Sequence, residues 1–67
     1  MNVGKSIKVA MAMKDMNQQD LAGRMKVSKP YISQLVGKEH AGVGTIVLLA
    51  DAFGMKVSEF VRLGEDD

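Results

Sequence analysis

The chain has no cysteine, one histidine and one proline in 67 residues. Without thiols, neither a disulfide nor a thiolate metal site braces the fold. A lone histidine and scattered carboxylates offer no metal constellation and no nucleophile–base–acid grouping. Gly42 and Gly44 follow no strand, so they do not read as a phosphate-cradling glycine loop. No stretch approaches the roughly eighteen consecutive apolar residues of a membrane span. Lys5, Lys8 and Lys14 interrupt the apolar positions where a secretion signal needs a continuous block. The expectation is a soluble, cytoplasmic protein that is not an enzyme, with no cofactor, no metal and no membrane partner.

What is present is one small domain, for which residues 1–64 are expected, followed by an acidic tail at 65–67. A chain of this size buries only about 60% of the surface its unfolded form exposes, so packing has little margin and self-association is a natural supplement. The net charge of +1 hides a segregation. Residues 1–38 carry seven basic groups against two acids, and residues 39–67 carry two against six. A basic half suggests an anionic partner, although a few lysines on a small domain are also ordinary solvated charge.

The pattern is organised around residues 17–37, NQQDLAGRMKVSKPYISQLVG. Asn17 is placed as an N-cap, with Asp20 in the capping-box position and Met16 set to staple onto Leu21. Ser28 repeats the device, with Pro30 in the first turn and Val27 opposite Ile32. Two helices this short require packing against each other and their flanks. The corner between them needs a left-handed residue, and Lys26 is the expected one, at roughly 1 kcal/mol relative to glycine.

On the N-terminal side, Val3, Ile7, Ala10 and Met11 mark a first helix over residues 3–14, with Asn2 as a possible cap. Met13 either closes the core or lies under a partner. On the C-terminal side, residues 36–44 hold three glycines and read as a loop. A fourth helix follows from Val43 or Gly44 to Phe53, with Ile46, Leu49, Ala50 and Phe53 on one face and Gly54 ending it. A fifth, over residues 58–63, buries Phe60, and Gly64 begins a frayed end. The fold class is all-α, five short helices with the helix-turn-helix at about 17–36.

Across Asn17-Gln18-Gln19-Asp20-Leu21-Ala22 and Val27-Ser28-Lys29-Pro30-Tyr31-Ile32-Ser33-Gln34-Leu35, the chain resembles the Cro/phage-repressor (XRE-type) helix-turn-helix family. The resemblance runs from Val3-Gly4 through Ala50-Asp51-Ala52-Phe53-Gly54 to Phe60. Gln18, Ala22, Ile32 and Leu35 occupy the family's fixed places. Lys26 stands where the family usually has glycine, and Gly37-Lys38 arrives one residue earlier than the common pattern. The resemblance implies a lambda-repressor-like domain that binds double-stranded DNA.

In such a unit the third helix lies in the major groove with its N-terminal residues at base edges. With Ile32 and Leu35 turned inward, the expected base contacts are Lys29, Pro30, Tyr31, Ser33 and Gln34. Lys29 suits guanine, Gln34 suits adenine, and Pro30 suits a thymine methyl. A plain solvated helix face has similar residues. Phosphate contacts are expected from Gln18 and Ser28 at helix starts and from Lys38, His40 and Thr45 in or after the loop, with Lys5 and Lys8 adding longer-range attraction. A solvated loop histidine is the simpler reading of His40.

Surplus apolar residues Val47, Leu48, Val61 and Leu63 are the expected homodimer interface, unless they complete the domain's own core. A two-fold pair sets two third helices one DNA turn apart and implies a roughly palindromic operator. The functional expectation is a sequence-specific transcriptional regulator acting as a repressor. With no room for a ligand-sensing domain, control is expected through concentration or a regulatory protein partner. The competing expectation is a protein-interaction module on the same scaffold, antitoxin-like or an anti-repressor partner.

Overall fold

In a computed structural model that describes residues 2–65, the chain forms five helices and no strand among the described residues: α1 Val3–Met13, α2 Gln18–Met25, α3 Lys29–Val36, α4 Val43–Ala52 and α5 Val57–Leu63. Met1 of the expected domain, and Asp66 and Asp67 of the acidic tail, lie outside the described residues.

Local chemistry sets the helix starts. Asn2 Oδ1 accepts from the Lys5 N–H at 2.9 Å, capping α1. Asn17 and Asp20 form the reciprocal box: the Asp20 N–H donates to Asn17 Oδ1 at 2.8 Å and the Asn17 N–H donates to Asp20 Oδ2 at 3.1 Å. Ser28 Oγ accepts from the Tyr31 N–H, with Pro30 in the first turn of α3. Glu59 closes α5 by accepting from the Lys56 N–H at 3.0 Å.

Three helix ends share one device. After α1, α2 and α4 the backbone turns left-handed at Asp15 (φ 53°), Lys26 (φ 58°) and Gly54 (φ 68°). The N–H of the next residue then reaches back five positions: Met16 to Met11, Val27 to Ala22, and Met55 to Ala50, at 2.9 to 3.0 Å. This is the Schellman arrangement, which satisfies carbonyls the helix leaves open. Met16, Val27 and Met55 each pack against the core. Lys26 and Gly54 take the conformations expected of them, and Asp15 makes the same left-handed turn where no expectation was placed.

The core is Val3, Ile7, Ala10, Leu21, Ala22, Ile32, Leu35, Leu49, Ala50, Ala52, Phe53 and Phe60. Phe53 and Phe60 stack at 6.0 Å between ring centroids, joining α4 to α5. Helix α1 packs on α3 and α5, and α2 on α3 and α4, so the helix pair 18–36 is held from both sides. Met13 is not in the core: its side chain is 61% exposed at the end of α1. Nor does Gly64 fray. It is buried, its carbonyl accepts from the Asn2 N–H at 2.9 Å, and a Cβ there meets Asn2 and Ser6. The two ends of the domain therefore close on each other.

Candidate nucleic-acid interface

The candidate interface is built on α3, whose apolar stripe decides which way it faces. Ile32 and Leu35 are buried, which leaves Lys29, Pro30, Ser33 and Gln34 exposed on the opposite side. At 8 residues α3 is about 12 Å long, close to the width of a B-DNA major groove. Its face is bare within the described residues, as a reading surface requires.

Tyr31 sits apart from that row. It is 38% exposed and lines a groove of about 430 Å³ with Arg24, Met25, Val27, Leu48 and Asp51. The ring therefore flanks the exposed face of α3 on the side of α4.

The start of α2 lies beside α3 and shares its chemistry. Asn17, Gln18, Gln19 and Lys29 line an open polar cleft of about 400 Å³. Gln18 is half-buried, and its side-chain oxygen accepts from Ser33 Oγ at 2.6 Å. This cross-helix bond joins an expected phosphate contact to an expected base contact. Sequence reasoning had no signal for it, because the two residues are 15 apart and meet only through the corner geometry. The Ser28 hydroxyl caps α3 through its oxygen and keeps its own hydrogen for another acceptor.

On the far side, Lys38 and His40 are exposed and Thr45 is half-buried at the start of α4. What places this loop is α1. The first N–H groups of that helix have no partner inside it. Val3 donates to the Glu39 carbonyl at 3.0 Å, and Gly4 donates to the Lys38 carbonyl at 2.9 Å. A Cβ at Gly4 meets the Val36 carbonyl oxygen, so the approach needs glycine.

Among the described residues, two of the basic groups in the first half donate from their side chains to backbone carbonyls. Arg24 Nη1 donates to the Ala52 carbonyl at 3.3 Å, capping the end of α4, and Lys5 Nζ donates to the Glu65 carbonyl at 3.3 Å. Lys8, Lys14, Lys26, Lys29 and Lys38 are exposed. Of the apolar residues expected at a subunit interface, Val47 and Leu48 are 46% and 61% exposed, while Val61 and Leu63 are half-buried. Leu63 packs in part against the domain's own core. Val43, the first residue of α4, is also exposed.

No group of three or more histidine or acidic side chains stands together as a metal site among the described residues. No helix among them is long and apolar enough to cross a membrane. Compared with known families, the chain matches the Helix-turn-helix model over residues 7–60. Neither the curated proteins nor the solved structures compared with it give a match.

Proposed function

Because the chain belongs to the Cro/C1-type helix-turn-helix family, a DNA-binding domain, we propose that it is a sequence-specific transcriptional repressor. It acts by lying on its operator as a dimer. The observation that carries this reading is the uncovered face of α3, where Lys29, Pro30 and Gln34 stand together on a helix whose other side is buried.

In this reading Lys29 donates to guanine O6 and N7, Gln34 pairs with adenine, and Pro30 touches a thymine methyl. Tyr31 flanks them. Gln18 and Ser28 hold phosphates at the starts of α2 and α3, and Lys38, His40 and Thr45 hold the strand on the other side. Helix α4 has Gly42 as its N-cap and no side-chain cap, which leaves its first N–H groups open to a phosphate beside Thr45. Exposed lysines supply the sequence-independent attraction.

The dimer uses Val47 and Leu48, with Val61 and Leu63 at its margin. The exposure of Val47 and Leu48 supports this part of the reading. The same apolar surface also suits a regulatory protein, the antitoxin-like alternative. Selection of bound sequences from a random duplex pool tests the whole reading at once. A repressor of this kind enriches two inverted half-sites. A pool with no enriched sequence, together with a protein that co-purifies on the α4 surface, favours the interaction module instead.

A further inference from the structure

Ser33 stands in the row of side chains that faces outward from α3, but its hydrogen is committed. Its Oγ lies 2.6 Å from Gln18 Oε1. A carboxamide oxygen only accepts, so the hydrogen in this bond comes from the serine hydroxyl. The terminal torsion of glutamine is broad and roughly two-fold, so an untethered Gln18 presents its oxygen and its nitrogen to a given side about equally. Toward a phosphate those two edges are opposites: the oxygen repels and the N–H groups bind. A tether on the oxygen removes the ambiguity, because the amino group then points away from Ser33.

We propose that Ser33 is a positioning residue that reads no base: it orients the Gln18 carboxamide so that Nε2 donates to a DNA phosphate. The inference rests on the DNA-binding reading above and assigns a separate task within it. It explains why a short hydroxyl side chain in the middle of the reading face serves binding without serving specificity. When DNA excludes water from the junction, the Ser33–Gln18 bond strengthens in the lower dielectric.

The test compares Ser33→Ala, Ser33→Thr, Gln18→Ala and the Ser33→Ala/Gln18→Ala double variant with the unaltered protein. Affinities are measured on the pool-selected duplex and on a scrambled duplex of equal length, with a thermal melt of each protein. Ser33→Ala is expected to weaken both duplexes by the same factor, about two- to tenfold: about twofold from the lost choice between the two carboxamide edges, and more as the lost bond would have strengthened in the complex. The preferred sequence and the salt slope stay as they are, since no charge and no base-reading group is lost, and the melt moves by no more than the loss of one exposed hydrogen bond allows. Ser33→Thr restores affinity, and Ser33→Ala has no further effect in the Gln18→Ala background. A changed base preference overturns the proposal and returns Ser33 to base reading. An undiminished effect in the Gln18→Ala background, or no loss at all, overturns it equally. If the unaltered protein selects nothing from the pool, the DNA-binding reading itself falls, which is a different result from any of these.

Discussion

At Lys26 the backbone adopts φ 58° and ψ 43°, a conformation in which a Cβ crowds the following carbonyl. Lys26→Gly removes that crowding and is expected to stabilise the domain by about 1 kcal/mol, or roughly 4–8 °C in Tm for a chain this small. Glycine also loosens the unfolded chain, which trims the gain. Asp15→Gly should gain less, because aspartate tolerates the left-handed region better than lysine. Scanning calorimetry decides it: a Tm for Lys26→Gly at or below the parent's means that unfolded-chain entropy outweighs the relieved strain. Gln34 carries a prediction of a different kind. It is exposed on α3, so Gln34→Ala should leave the melt unchanged while lowering discrimination between operator and random DNA by about 1–3 kcal/mol. Equal weakening on both duplexes removes Gln34 from the base-reading row. Residues such as Asn17, Ser28 and Lys26 were legible in the sequence because a cap or a corner acts over three or four positions. Asp15 was not, since aspartate occurs at many turns and nothing nearby singled it out. Ser33 and Gln18 were each singled out, yet their bond was hidden because it depends on the angle between two helices.

At the scale of elements, what sequence periodicity leaves out is how helices hold the loops between them. The stripes at Ile7 and Ala10, at Ile32 and Leu35, and at Leu49 and Phe53 gave the helices and their buried faces. They say nothing of how the residue 37–42 loop is held, where Gly37 and Gly42 mark only a loop. In the structure, that loop is fixed by the N-terminus of α1, whose Val3 and Gly4 N–H groups donate to the Glu39 and Lys38 carbonyls. Gly4 sits so close to α3 that an added Cβ strikes the Val36 carbonyl oxygen and lies 3.0 Å from that of Lys38. Both obstacles are backbone, so no rotamer change relieves them. Gly4→Ala should therefore destabilise the domain by about 1–3 kcal/mol, the usual range for overpacking. It should also move Lys38 and His40 relative to α3, weakening DNA binding beyond the fraction unfolded. A chemical-denaturation series reads the first effect, and binding well below the melt reads the second. Alanine tolerated at both would mean that α1 and the loop separate easily and that Gly4 does not set the loop position.

For the whole molecule, size decides how an operator has to be built. The Cα atoms span 30 × 20 × 20 Å, and each chain has one α3. Successive major grooves on one side of B-DNA are about 34 Å apart, so a single copy cannot enter two of them. Eight residues of helix read only a few base pairs, too few for a selective site, and so the proposed dimer is what gives the operator its length. Two-fold pairing fixes both the distance and the rotation between the two copies of α3. The expected operator is two inverted half-sites centred about 10 base pairs apart. Inserting five base pairs between them turns one half-site to the opposite side of the duplex. The second copy then loses its base contacts, and affinity should drop toward that of a single half-site. Inserting a further five restores the facing but adds a full turn of separation, which a rigid pair of 30 Å domains does not span, so affinity should stay low. Gel shifts across the 0, 5 and 10 base-pair series, read at several protein concentrations, carry the result. Affinity indifferent to the insertions means that the copies bind independently, and the exposed Val47 and Leu48 then belong to some other contact.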